Sequence, residues 1–139
     1  HLLARDQLLP VVGPAHPLAG RQGLCMAELQ AHELYLREAG SGARASIEQA
    51  YRKHGLDARA AMIGGGTEPL KRLIAGGRGI AWLSQLVVEE ELADGRLEQR
   101  AVRDLQTERD LHVLWRLGSR LNPAPAAFLQ MIDSNIKTF

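Results

Sequence analysis

The sequence predicts an α/β domain, and three observations carry that prediction. Short apolar runs alternate with segments of helical period, and Gly or Pro marks most of the joins. The run Ile80-Ala81-Trp82-Leu83 is apolar throughout, as expected of a parallel strand covered on both faces.

Taken in order, Leu8-Leu9-Pro10-Val11-Val12 reads as a strand that leaves its sheet at Gly13-Pro14. A short helix is expected from Cys25 to Ala31, then a strand from Glu33 to Arg37. After Gly40-Ser41-Gly42, a helix from Ala43 to His54 presents Ile47, Ala50, Tyr51 and His54 at i, i+3, i+4, i+7 spacing. Glu48 and Arg52 stand at the spacing of an ion pair on it, and Gly55 is its natural stop. The same strand, glycine turn and helix order recurs with Ala60 to Ile63, the glycines at 64 to 66, and a helix with Thr67 as N-cap and Pro69 in its first turn. Leu70, Leu73 and Ile74 form the expected buried stripe of that helix. Gly76 and Gly77 end it, Ile80 to Leu83 is the next strand, and Ser84 is placed to cap a helix over Leu86 to Ala93. Asp94-Gly95 is a turn. Leu97 to Val102 and Leu111 to Trp115 read as strands joined by the polar stretch Arg103 to Asp110. Asn122 is the expected N-cap of a last helix with Pro123 at its first position, packing through Ala127, Phe128, Met131 and Ile132. The tail from Asp133 to Phe139 carries no strong signal.

Composition narrows the function classes. A chain of 139 residues is the size of one ordinary domain and can bury a real core. Seventeen Lys and Arg against sixteen Asp and Glu leave a net charge of +1, which supplies no field to grip a phosphate backbone. Aromatic residues make up only 4%, too few for a stacking platform for single-stranded nucleic acid. Cys25 is the single cysteine, so no internal disulfide or Cys-rich zinc site can form, and a reducing, cytoplasmic setting is expected. No apolar run approaches the roughly 18 residues of a membrane span, and the start His1-Leu2-Leu3-Ala4-Arg5 lacks the apolar core of a signal peptide. The absence of an initiator Met leads us to expect a chain that begins inside a longer protein. Repeats, low-complexity tracts and heptads are absent from the sequence.

Catalytic chemistry finds little support. The histidines at 1, 16, 32, 54 and 112 show no HExxH pair and no cluster with Cys25, so no metal site is expected; they read as surface or half-buried imidazoles. Gly40-Ser41-Gly42 is not the GxSxG elbow of a hydrolase, because Ala39 stands two residues before Ser41. Neither Gly-rich turn has P-loop or GxGxxG spacing, and no catalytic residue or cofactor is expected. What does stand out is that the turns at 39–43 and 64–67 each place a hydroxyl, Ser41 and Thr67, beside a helix N-terminus. Such ends present unpaired N–H groups and partial positive charge, and in parallel sheets they collect where ligands bind. The alternative stays open that these glycines only make tight turns and the hydroxyls only cap helices.

Four longer stretches add a resemblance. They are Val11-Val12-Gly13-Pro14-Ala15-His16-Pro17-Leu18-Ala19, followed by Leu36-Arg37-Glu38-Ala39-Gly40-Ser41-Gly42-Ala43-Arg44, and Gly66-Thr67-Glu68-Pro69-Leu70-Lys71-Arg72 continuing through Gly76-Gly77-Arg78-Gly79-Ile80-Ala81-Trp82-Leu83-Ser84. In this order and spacing they resemble the effector-binding domain of LysR-type bacterial transcriptional regulators, from about Leu8 to Ile132.

The resemblance implies a periplasmic-binding-protein-like α/β fold with one complete lobe, a three-layer α/β sandwich, plus a partial first lobe. Residues 1–13 would end the first lobe and form the first crossover, 14–103 would build the second lobe, and 104–139 would hold the second crossover and the return. An incomplete first lobe would leave apolar surface on Leu8–Val12 and Leu111–Trp115 for another chain to cover. A small anionic metabolite would bind in the interlobe cleft. The family's contact positions map onto Gly13 and Pro14 and onto Gly64, Gly65, Gly66 and Thr67, while Gly40 and Ser41 join them from the turn argument above. Many relatives carry a hydroxyl where Gly66 sits. Ligand binding would shift a conformational equilibrium, not drive catalysis. DNA would be reached only through an N-terminal helix-turn-helix absent here. The domains would pair into dimers or tetramers, with the helix from Ala43 to His54 as a candidate interface, and no membrane would be involved. A second reading is a transporter's solute-binding protein of the same two-lobed fold, which requires an export signal. A third, a small enzyme using Ser41 or Thr67, lacks a general base near either hydroxyl.

Overall fold

In the computed structural model, residues 2–105, 107–116 and 122–136 are described. The elements are β1 (Leu2–Val12), α1 (Met26–Leu29), β2 (Leu34–Arg37), α2 (Gly42–Lys53), β3 (Ala60–Gly64), α3 (Thr67–Ala75), β4 (Ile80–Ser84), α4 (Gln85–Ala93), β5 (Glu98–Gln99), β6 (Glu108–His112) and α5 (Pro123–Ile136). The chain divides into two compact units. One spans Gln7–Glu108, and the other combines the chain up to Asp6 with the chain from Arg109 onward.

In the larger unit the strand order is β3-β2-β4-β1-β5. β2 runs parallel to β3 and to β4, whereas β1 runs antiparallel to β4, pairing Leu8 with Ser84 and Val11 with Ala81. Alternation along the strands sends neighbouring side chains to opposite faces. Leu8, Val12, Leu34, Leu36, Ile80 and Trp82 join one core layer with Ile47 and Tyr51 of α2 and Met26 and Leu29 of α1. Leu9, Val11, Tyr35, Ala81 and Leu83 join the other with Leu70 and Ile74 of α3 and Val88 of α4. The unit is therefore a three-layer sandwich whose sheet is covered on both faces. Each of these buried large aliphatic side chains contributes about 1.5–3 kcal/mol by leaving water.

Several elements differ from expectation, each for a physical reason. β1 begins at Leu2, six positions earlier than expected, because its first part pairs with β6, and the polar Arg5, Asp6 and Gln7 hide the strand in the sequence. β6 starts at Glu108, inside the stretch expected to be a connecting loop. Its polar residues are held by ion pairs: Arg109 reaches Asp6 at 2.7 Å, and Arg5 approaches Asp110 at 4.0 Å. Leu114 and Trp115, expected in that strand, lie beyond it and are exposed. The strand expected over Leu97–Val102 is reduced to the two residues of β5 and a bridge from Val102 to Leu24. α1 is similarly shorter than expected, with Cys25 as its N-cap. On α2, Glu48 is taken by Arg44 at 2.7 Å rather than by Arg52, and His54 caps the helix at the surface instead of joining its buried face. α5 starts at Pro123 as read, but Ala127, Phe128 and Met131 are exposed and Ile132 is buried. The final helix runs on through Ile136, while 137–139 lie outside the described residues.

α3 carries the most informative departure. Leu70 and Ile74 are fully buried as expected, but Leu73 is 38% exposed and Lys71 turns inward. Lys71 Nζ lies 2.7 Å from Glu91 of α4 and 2.9 Å from Glu68, which ties α3 to α4 by a buried charge pair. The Lys71 hydrogen bond holds the Glu91 carboxyl below the usual carboxylate range despite its burial. A lowered folded-state pKa means that this contribution is complete above the unfolded value of about 4.3 and is lost as pH falls through the folded value. Glu91→Gln should therefore flatten the acid limb of a stability-versus-pH curve measured by chemical denaturation. An unchanged limb would assign acid sensitivity to other carboxylates.

Candidate ligand-binding edge

The paired ends of β2 and β3 build the site. Arg37 and Gly64 are register partners, so the two parallel strands finish level with each other. Each then turns into a helix on a different face of the sheet, α2 after Gly40-Ser41 and α3 after Gly65-Gly66. Ser41 is the N-cap of α2 and Gly66 the N-cap of α3, and neither helix has a side-chain cap hydrogen bond. Both ends thus keep backbone N–H groups pointing off the sheet edge. Thr67, expected as the cap of α3, is its first helical residue. Its hydroxyl instead receives a hydrogen bond from Arg37 Nη1 at 2.6 Å.

Arg37 is the functional candidate that the sequence reading missed. Its Nε and Nη2 both donate to Glu38, at 2.9 and 2.7 Å. This fork holds the Glu38 carboxyl far below its ordinary range, at about 2. Arg44 Nη1 donates to the Arg37 carbonyl at 3.2 Å, joining the first turn of α2 to the end of β2. The available signal was positional: an arginine closing an apolar strand directly before a Gly-rich turn lies at the edge where a parallel sheet presents its ligands.

The glycines divide by role. A Cβ on Gly64 would stand 2.7 Å from the buried Leu70 side chain, so this position must be bare for α3 to close on the sheet. Gly65 and Gly40 face open space. Gly66 has φ 174°, an extended conformation open to any residue, and its nearest neighbour for a Cβ is Pro69 at 3.6 Å.

Six of the eight expected residues, Gly40, Ser41, Gly64, Gly65, Gly66 and Thr67, gather at this edge. Gly13 and Pro14 do not. Because β1 is antiparallel to β4, its last residues lie where β2 and β4 begin, at the other end of the sheet. There Gly13 packs against the C-terminal end of α3, and its carbonyl accepts the His16 N–H at 3.0 Å. The nine residues of α3 hold the two groups about 13 Å apart. Near the Gly13 end is a 420 Å³ concavity lined by His16, His32, Glu33, Gly77, Arg78 and Gly79 among others. The His16 and His32 rings stand 5.1 Å apart, and His16 Nδ1 accepts the Leu18 N–H. Burial, then the nearby His32, lowers the His16 pKa and favours the neutral ring that this bond requires. Among the described residues, no group of three or more His, Cys, Asp or Glu is placed to hold a metal, and no helix is long and apolar enough to cross a membrane. His1 lies outside the described residues.

Comparison with known proteins decides the family. The LysR substrate binding domain matches residues 1–136. The chain belongs to this family. A RuBisCO operon transcriptional regulator of Acidithiobacillus ferrooxidans is 33% identical over 93% of the chain and 42% of its own length. The HTH-type transcriptional regulator CbbR of Xanthobacter flavus is 33% identical over 93% of the chain and 40% of its own length. The regulatory domain of CcmR from Synechocystis PCC6803, solved in complex with 2-PG, superposes with a TM-score of 0.83 at 28% identity, covering 95% of this chain and 64% of that one. The chain thus spans about two fifths of the curated relatives it matches. Its fold is the periplasmic-binding-protein-like α/β fold of LysR effector-binding domains, as the motifs at Val11–Ala19, Leu36–Arg44, Gly66–Arg72 and Gly76–Ser84 implied.

Proposed function

We propose that this LysR-family effector-binding domain senses a small anionic metabolite at the edge formed by Arg37, Gly40, Ser41, Gly64, Gly65, Gly66 and Thr67. One observation carries the reading: two helix N-termini without side-chain caps flank the level ends of β2 and β3, with the Arg37 guanidinium on Thr67 between them. Oriented N–H groups and a fixed cation favour a carboxylate or phosphate over a neutral ligand. An incoming anion competes with Glu38 for Arg37, which makes the exchange of one carboxylate partner for another the natural switching event. Gly13 and Pro14 serve in this reading as the close-packed turn behind α3.

The domain works by differential affinity for two states and has no catalytic role. Its parent regulator reaches DNA through an N-terminal helix-turn-helix and resides in the cytoplasm, a location supported by the lone cysteine. Pairing with a second copy is supported by β3, an edge strand that exposes Met62 and Ile63, and by the solvent side of α2.

Calorimetric titration of the complete effector domain with 2-PG, with glycerol as an uncharged control, tests the site. Gly66→Leu is compatible with the backbone there and should abolish 2-PG binding without unfolding the domain. Arg37→Gln should weaken it by about tenfold or more, the loss of a charge-assisted hydrogen bond. Unchanged affinity in Gly66→Leu would remove this loop from the site. Binding of glycerol equal to that of 2-PG would overturn the anionic reading.

A further inference from the structure

We propose that His54 is a pH-sensitive clasp which, as imidazolium, ties the C-terminal end of α2 to the turn at 103–105 and so secures the segment by which the chain leaves the larger unit. This goes beyond the ligand site and does not depend on it. Nδ1 of His54 lies 3.0 Å from the Ala50 carbonyl oxygen, and Nε2 lies 2.9 Å from the Asp104 carbonyl oxygen. A carbonyl oxygen only accepts. The neutral ring owns one N–H, so it satisfies one contact and turns a lone pair toward the other oxygen. Only the doubly protonated ring donates to both.

The surroundings favour that form. His54 is the C-cap of α2, where the unpaired carbonyls of a helix end attract a cation. Asp104 adds a negative charge across the turn, and its carboxylate also accepts the Met26 N–H at 3.0 Å at the start of α1. Against these stand the like charges Arg52 and Lys53 in the last turn of α2, and Arg103 beside Asp104. Glu28, the acidic residue of α1, is committed to Arg21 at 2.8 Å and to the Cys25 N–H at 3.0 Å. The two carbonyl bonds, Ala50 first and Asp104 second, raise the His54 pKa above its ordinary value.

The clasp adds to packing and bridging of the same segment: Val102 bridges Leu24, and Val102 and Leu105 pack against the core. The Arg103 N–H donates to the Leu24 carbonyl at 2.9 Å. Further along, the Thr107 carbonyl accepts the Leu8 N–H at 2.9 Å, and the Thr107 hydroxyl donates to the Leu8 carbonyl. β6 begins at the next residue. Because His54 titrates higher in the folded chain than in the unfolded one, the clasp is complete below the unfolded value of about 6.5 and is lost as pH rises through the folded value.

Histidine proton resonances followed against pH, together with amide exchange corrected for intrinsic rates, test the clasp in the chain as it stands. The His54 ring should titrate above free histidine. Protection of the Arg103 and Leu8 amides should fall severalfold through the same midpoint, and His54→Gln, a surface change, should remove that step. A His54 midpoint at or below that of free histidine would overturn the proposal, as would the same protection step persisting in His54→Gln. The wild-type titration decides the matter even if the variant folds poorly.

Discussion

Asp6→Ala is expected to cost about 3–5 kcal/mol, the loss seen when one partner of a buried ion pair is removed. The Asp6 side chain is wholly inaccessible, and Arg109 donates to its Oδ2 from Nε at 2.8 Å and Nη2 at 2.7 Å. Removing the carboxylate leaves a half-buried guanidinium without this partner where β6 pairs with β1. The loss is therefore local first: exchange protection in β6 should collapse, with a fall in the thermal midpoint. Asp6→Asn keeps the shape but not the charge, and should fall between the wild type and Asp6→Ala. Stability within about 1 kcal/mol of wild type, the range of surface ion pairs, would show that the pair is dispensable.

Gly13→Ala carries the second large effect. A single added methyl would overlap the Ile74 carbonyl oxygen and stand 2.9 Å from both the Ala75 carbonyl oxygen and the Gly77 nitrogen. These are backbone atoms at the end of a helix, so no rotamer change relieves the contact. Overpacking of a well-packed interior costs about 1–3 kcal/mol and occasionally more, and a clash with backbone belongs at the upper end. Denaturant midpoints for Gly13→Ala and Gly66→Ala should diverge sharply, since a Cβ on Gly66 meets nothing closer than 3.6 Å. Equal midpoints would contradict the close approach of β1 to α3.

The contrast between these two glycines explains what was legible in the sequence. The core strands could be read because burial on both faces leaves uninterrupted apolar runs, as at Ile80–Leu83, and the helices because Ile47, Ala50 and Tyr51 keep helical spacing. The β1–β6 pairing could not, because an Asp–Arg ion pair links the two strands and charged residues read as loop. Lys71 was missed for the same reason: its burial depends on Glu91, twenty positions away, which no local period encodes. At the site, the Gly-rich turns were visible, while Gly13 and Pro14 came from the family resemblance alone; their place at the other end of the sheet follows from strand pairing, because β1 is antiparallel to its neighbour. Arg37 looked like an ordinary strand end until Thr67, thirty residues on, was placed beside it.

The tight seat of Gly13 on the end of α3 has a mechanical consequence. A helix whose last carbonyls bear on a bare Cα has no axial play at that end, while its start is tied to the end of β2 by the Arg37–Thr67 hydrogen bond. Force applied at Thr67 along the helix is opposed at Gly13 by the end of β1 itself. A load taken up at the glycine turn would end on one residue that has no side chain.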